Sequence, residues 1–199
     1  MRRLLACLCL IVAIFLGSAE FAESADFDKG LKAARAGDYK TALRELKPLA
    51  DQGHSIAQGL LGDMYYSGYG VAQNYTTAMM WYLRSATQGN PIAQYSVGMM
   101  YDSGKGVAEN DKEAVKWFLK AGEQGDTEAH HRLGTMYYHG RGVSENFHRA
   151  YMWWALAAAK GSKKSKHNLE ILNERMARAQ KEFAKEMTRE CVRTNYKGC

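Results

Sequence analysis

Hydrophobic residues recur in the middle of the chain with the spacing of one helical face. In residues 54–89 the first apolar set follows the i, i+4, i+7, i+8 pattern of an amphipathic helix and comprises Ala57, Leu61, Met64 and Tyr65. After a glycine-containing turn a second apolar set begins, which comprises Ala78, Trp81 and Tyr82. Asn74 before this set and Gly89 after it are typical helix start and stop signals. This segment is therefore predicted to form two helices, A and B.

The same pattern occurs three times without gaps. The three segments are residues 54–89, 90–125 and 126–161, which gives a period of 36 residues. Such a period is typical of stacked helix pairs, because a single pair can bury its apolar face only against its neighbours. The chain is therefore predicted to be all-α, an α-solenoid of stacked antiparallel helix pairs with helical caps.

Segments on both sides of the repeats keep part of the pattern. Residues 26–53 are predicted to form a degenerate N-terminal capping repeat, which keeps Ala42 but has Glu45 where the repeats have tryptophan. Residues 162–199 are predicted to form C-terminal capping helices. The last of these helices is amphipathic, with an apolar face that comprises Phe183, Met187 and Cys191.

The repeats also carry a specific motif. The run A-x-x-x-L-G-x-M-Y-x-x-G-x-G-V, followed by N-x-x-x-A-x-x-W-[YFW]-x-x-A-x-x-x-G, resembles the Sel-1-like repeat, a relative of the tetratricopeptide repeat. The resemblance covers residues 54–161 directly. It implies a non-catalytic adaptor that assembles protein complexes at or near the cell envelope, but it does not identify the partner.

Helix A is expected to line the concave surface of the solenoid. Opposite its core face, three positions vary between repeats while the core positions are kept. These residues are Gly59, Asp63, Tyr66, Tyr95, Met99, Asp102, His131, Thr135 and Tyr138. We hypothesise that they form a peptide-binding groove, in which tyrosine and methionine supply contact area and Asp63 and Asp102 anchor basic groups. The alternative is a solvated face without a ligand.

The formal charge of +6 lies at the C-terminal end. Residues 26–159 hold 14 Lys and Arg against 14 Asp and Glu, whereas residues 160–199 hold 11 against 5. Aromatic side chains do not interleave with this basic cap, so a DNA or RNA partner is not expected. An anionic membrane surface or a cell-wall polymer that binds the cap remains an alternative to a protein partner.

The first residues follow the order of a secretory signal peptide. Arg2 and Arg3 precede an apolar run over residues 4–16, and small residues follow it. We therefore expect residues 1–22 to be a signal peptide, with cleavage near residues 19–25, and the mature protein to be periplasmic or secreted. An uncleaved membrane anchor is the alternative.

Export also affects the cysteines. Removal of the signal peptide would leave Cys191 and Cys199 as the cysteines of the mature chain. Disulfides persist in oxidising compartments, so these two residues are expected to pair and to restrain the C-terminus.

Few residues suggest catalysis or metal binding. Some exported, cysteine-rich proteins of the family are described as β-lactam hydrolases, but no serine here has a lysine three residues later, as an acylating serine would require. Four histidines lie close in sequence without the i, i+4 spacing of a helical metal pair, namely His130, His131, His139 and His148. We expect no catalytic residue, cofactor or metal, and a small hydrolase is only a distant alternative.

Overall fold

Each predicted repeat forms a pair of helices in the computed structural model, which describes residues 27–199. The predicted signal peptide lies outside these residues. The helices are α1 (residues 27–35), α2 (Tyr39–Asp51), α3 (Ser55–Ser67), α4 (Tyr75–Thr87), α5 (Pro91–Ser103), α6 (Asp111–Gly122), α7 (Thr127–His139), α8 (Phe147–Ala159), α9 (Lys163–Arg175) and α10 (Arg178–Arg193). No strand occurs among residues 27–199, and the all-α solenoid prediction is confirmed. None of the helices in this range is long and apolar enough to cross a bilayer.

The helix ends follow from local sequence. The side chain of Asn90 accepts hydrogen bonds from the backbone N–H groups of Ile92 and Ala93 at 3.0 and 3.2 Å, and Pro91 starts α5. Gly104 ends α5 with a φ of 65°, a left-handed conformation that favours glycine. Equivalent caps recur in the first and third repeats, so the three helix pairs keep one register.

Helix pairs stack in chain order. Helix α3 packs on α4, α5 on α6 and α7 on α8, and each pair packs on the next. Gly98 marks the closest approach of α5 to α6, because a Cβ there would lie 2.6 Å from Cδ1 of Phe118. The buried aromatic ring therefore takes the place of a side chain at this position.

Two aromatic residues are less buried than the pattern predicts. Trp117 is half-buried, unlike its buried equivalents Trp81 and Trp153, and the Lys120 ammonium covers its ring at 4.0 Å from the ring centroid. Phe183 is 58% exposed and meets the ring of His148 edge-on. The buried face of α10 is instead centred on Ala184 and Cys191, with Met187 partly buried beside them.

Helices α9 and α10 are separate. Met176 and Ala177 both have extended backbone, and the Ala177 N–H donates to Oε1 of Gln180 at 2.9 Å. Helix α9 packs on α8 as a fourth A helix, whereas α10 packs along α8 and closes the stack.

Candidate functional site

Three predicted groove residues contact cations of the following unit. The pairs are Lys105 with Tyr66, Arg141 with Asp102, and Arg175 with Tyr138. Lys105 Nζ donates to the Tyr66 hydroxyl at 3.0 Å and lies 5.1 Å from the ring centroid. The Arg175 guanidinium lies 5.3 Å from the Tyr138 ring centroid and donates to its hydroxyl. These positions therefore join one repeat to the next.

Asp102 is largely enclosed by its own chain. Its side chain is 11% exposed, with Arg141 Nη2 2.8 Å and Arg132 Nη1 3.8 Å from its carboxylate oxygens. Arg141 also donates to Asp111, at 2.6 and 3.2 Å. Because these guanidinium groups already compensate the Asp102 charge, the structure gives this carboxylate an intramolecular role that the sequence did not indicate. Its predicted role as an anchor for a partner stays a prediction.

The position of Gly59 carries a different residue in each repeat. Tyr95, one period later, lies 5.8 Å from Phe118 between ring centroids and is partly buried. Burial raises the pKa of Tyr95, whereas the neighbouring Arg132 of α7 lowers it. His131, two periods later, has Nδ1 2.8 Å from Oγ of Ser165 on α9. In the second and third repeats, the side chain at this position therefore reaches from its own helix A towards helix A of the following unit. In the first repeat, Gly59 has no side chain that could do so.

A small pocket opens beside Gly59, between α3 and α5. Its volume is about 80 Å³ and its lining residues are Ile56, Gly59, Leu60, Asp63, Tyr82, Asn90, Ile92 and Ala93. Two of them are unusually exposed for large apolar residues, Ile56 at 53% and Ile92 at 67%. These isoleucines occupy the same position of consecutive repeats, whereas the third repeat has Glu128 there.

Asp63 forms the polar edge of this pocket. Solvent reaches the residue, but Tyr82 covers one side and donates its hydroxyl to Oδ1 of Asp63 at 2.7 Å. Partial burial raises the pKa of Asp63, and the hydrogen bond from Tyr82 opposes this effect. No Lys, Arg or His nitrogen of residues 27–199 lies within 4.0 Å of its carboxylate.

The remaining predicted residues lie elsewhere on the helix A surface. Met99 is partly buried against the core, and Thr135 donates its hydroxyl to the His131 carbonyl at 3.1 Å. Thr135 and Tyr138 line a second depression, of about 100 Å³, beside Trp154 and Ile171. The structure thus brings Gly59 and Asp63 into one pocket, and Thr135 and Tyr138 into another.

Sequence reasoning missed the apolar walls of the first pocket. Ile56, Leu60 and Ile92 lie beside the strip opposite the core face, whereas the predicted groove comprises only residues of that strip. The sequence did indicate these walls, because Ile56 and Ile92 lie one period apart in the first turn of α3 and α5, where capping and polar residues are usual.

The four histidines have separate partners. His130 is buried, and its Nε2 lies 2.9 Å from the carbonyl oxygen of Gly122. His131 contacts Ser165, and the two others contact aromatic rings: His139 meets Tyr138 and His148 meets Phe183. Within residues 27–199 no three metal-ligating side chains come together.

The C-terminal cysteines lie at bonding distance. The Sγ atoms of Cys191 and Cys199 are 2.01 Å apart. The segment between them folds back over the third repeat, so that the ring centroids of Tyr196 and His130 lie 5.2 Å apart. Arg149 of the same repeat donates from Nη1 to the Cys199 carbonyl at 2.8 Å.

A stack of helix pairs with an open helix A surface defines the class of helical repeat scaffolds. The chain belongs to the Sel1 repeat family, whose model matches residues 55–90, 91–126 and 127–162. Proteins with this repeat generally mediate protein–protein interactions and are typically non-catalytic scaffolds. No curated protein matches the chain.

Two solved structures are similar to the chain. A Sel1 repeat protein from Oxalobacter formigenes is 33% identical, with a TM-score of 0.70, over 73% of this chain and 60% of that protein. A protective antigen present in uropathogenic Escherichia coli strains, which displays an SLR fold, is 33% identical, with a TM-score of 0.76, over 80% of this chain and 35% of that protein. The chain thus spans less than two thirds of either relative.

Proposed function

We propose that the protein is an exported, non-catalytic scaffold that binds a protein partner in the cell envelope through its helix A surface. One observation carries this proposal: Ile56 and Ile92 are exposed side by side at an unfilled pocket on that surface. Large apolar side chains around a pocket are typical of the centre of a protein interface, where desolvation gives most of the binding free energy.

Two features support export. The order of charged, apolar and small residues in positions 1–22 is that of a signal peptide. The Cys191–Cys199 pair would persist only in an oxidising compartment such as the periplasm or the extracellular space. Cell fractionation tests this part of the proposal, and a reduced protein in the cytoplasm would contradict it.

The binding surface is tested by crosslinking and affinity capture from the native envelope, followed by mass spectrometry. We expect one dominant protein to be retained at low and at high salt by the native chain. The double variant Ile56→Glu/Ile92→Glu should lose it, because the charges prevent desolvation of the pocket. Met80→Glu is the matched control, since Met80 is an exposed apolar residue on helix B. Equal capture by both variants would contradict the proposal.

A second candidate is a binder of anionic membrane or cell-wall polymer through the basic cap. Lys163, Lys164 and Lys166 favour it, because all three are exposed on α9 without an ion-pair partner among the described residues. On α10, in contrast, Lys185, Arg189 and Arg193 each form an i, i+3 ion pair with a glutamate, which offsets their positive charge. Such binding would fall steeply with ionic strength, whereas binding through the apolar pocket would change little. Capture of lipid or polymer only, lost at high salt, would favour this candidate.

A further inference from the structure

The pocket beside Gly59 is a side-chain site that the first repeat leaves empty. In the next two repeats Tyr95 and His131 occupy the equivalent site. A Cβ at Gly59 would lie 3.5 Å from its nearest neighbour, Oγ of Ser85, which is an ordinary van der Waals distance. The packing of the helices therefore does not require a glycine here, and its presence leaves open a volume that the protein fills elsewhere with its own side chains.

The walls of this pocket combine two chemical properties. Ile56, Leu60 and Ile92 form apolar walls of the pocket between α3 and α5. Asp63 lies at its edge with a carboxylate that no cation within residues 27–199 approaches to 4.0 Å. Asp102, the aspartate in the groove of the second repeat, has two arginines around it. Among the described residues Asp63 thus has the Tyr82 hydroxyl as a partner but no cation, so its carboxylate can accept a cationic group.

We infer that this pocket binds a long basic side chain, lysine or arginine, of a partner peptide. The inference rests on the proposed function and specifies the partner residue that the site would recognise. Lysine and arginine carry an apolar stem and a cationic head, so the stem would lie against Ile56, Leu60 and Ile92 while the head pairs with Asp63.

Other side chains match the pocket less well. A purely apolar side chain would cover Asp63 without supplying a cation, and burial of a carboxylate that has only the Tyr82 hydroxyl as a partner is costly. An acidic side chain would meet a like charge at the same place. The basic side chain satisfies both the apolar walls and the carboxylate.

The inference is tested with two small probes on the purified protein. The first is N-acetyl-lysine N-methylamide, and the second is N-acetyl-norleucine N-methylamide, which has a similar apolar stem without the charge. Binding is followed from the NMR shifts of the Ile56 and Ile92 methyl groups, with Ile171 at the other end of the helix A surface as an internal control. We expect the lysine probe to bind about threefold to fivefold tighter at low salt, as for a partly exposed ion pair.

Two variants show whether the pocket causes this preference. Asp63→Asn should bind both probes equally, because it keeps the shape and removes the charge. Gly59→Tyr should bind neither, since it introduces the residue of the second repeat at a position with room for a Cβ. Its fold is checked by circular dichroism and the melting temperature.

Three outcomes would overturn the inference: equal affinity of the native protein for the two probes, shifts of equal size at Ile171, or unchanged lysine binding by Gly59→Tyr. The proposed function fails separately. If Ile56→Glu/Ile92→Glu loses a captured protein that Gly59→Tyr and Asp63→Asn retain, the scaffold function holds and this pocket assignment is wrong.

Discussion

The first and third repeats share one backbone arrangement but differ in how completely they fill their surfaces. In the first repeat, Gly59 leaves a pocket, and no cation of residues 27–199 lies within 4.0 Å of the Asp63 carboxylate. In the third, His131 contacts Ser165 and Tyr196 of the C-terminal segment packs on His130. The C-terminal segment thus covers part of the third repeat, which forms a closed end, whereas the pocket beside Gly59 leaves the first repeat as an open end.

The repeats also differ in the hydrogen bonds of one buried polar position, which is glutamine in the first two repeats and His130 in the third. Gln58 and Gln94 each donate to a backbone carbonyl of the preceding helix B, at 3.0 and 3.2 Å. Each also accepts a hydrogen bond from a second glutamine, Gln88 or Gln124. The equivalent His130 keeps the contact to the carbonyl of Gly122, but its Nδ1 has no hydrogen-bond partner in the described part of the chain. Equivalent positions in a repeat protein can therefore contribute differently to the free energy of unfolding and to its dependence on pH.

The largest expected effect concerns the closed end. Replacement of both Cys191 and Cys199 by alanine should lower the free energy of unfolding by about 2–3 kcal/mol, because a short covalent loop no longer restrains the unfolded chain. Urea unfolding measures this loss. Hydrogen exchange should accelerate in α8 and α10 and stay unchanged in α3 and α4. Equal acceleration in all four helices would contradict the division into an open and a closed end.

Acid should also destabilise the third repeat. Burial lowers the pKa of His130 from 6.5 to about 4, with Lys160 lowering it further and the Gly122 carbonyl opposing the shift. As the pH falls, the unfolded chain takes up a proton on His130 before the folded protein does. The stability that neutral, buried His130 contributes is therefore complete above pH 6.5 and decreases as the pH falls towards 4. The free energy of unfolding should fall by about 2 kcal/mol between pH 7 and pH 5.

His130→Gln is the matched control for this pH dependence. It restores the glutamine of the first two repeats, so the part of the pH dependence due to His130 should disappear. The nearby His131, whose pKa burial also lowers, remains in both proteins. Identical pH profiles for the two proteins would show that His130 does not titrate as described.

Two glycine substitutions should have opposite effects. Gly98→Ala should destabilise the protein by about 1–3 kcal/mol, because its methyl group would overlap the Phe118 ring. Gly59→Ala should stabilise it by up to about 1 kcal/mol, since alanine is the better helix former and has room here. Thermal unfolding compares them directly. A loss of stability in Gly59→Ala would mean that the pocket is needed for packing.

The smallest expected effect concerns the cations between repeats. Arg141→Met should cost up to about 1 kcal/mol at low salt, and less at high salt, because Arg141 is 40% exposed and Arg132 still lies beside the enclosed Asp102. Lys105→Met, which removes the cation over Tyr66 and Tyr75, should depend less on salt. Equal salt dependence of the two variants would contradict this distinction.

Much of the architecture was predictable from sequence, because it depends on local patterns. The 36-residue period, the Asn and Gly caps and the apolar set around Ala57 predicted helix pairs that stack. Which residues of the predicted groove are free of contacts within the chain was less predictable. Of the nine strip residues, Tyr66, Asp102 and Tyr138 contact cations that lie 37 to 39 residues later in the chain.

The sequence alone determined the repeat, its two helices and the positions that face the core, because each depends on residues a few places apart. Only the tertiary structure decided which surface residues are free. Gly98 belongs to the repeated motif and Gly59 does not, but the sequence does not show that a ring from α6 takes up the space at Gly98 or that the space at Gly59 is open. Asp63 and Asp102 are likewise both aspartates of the helix A surface, but Asp63 contacts Tyr82 of its own repeat, whereas Asp102 contacts Arg141 of the next repeat. Such contacts depend on distances between helices, which no local pattern specifies.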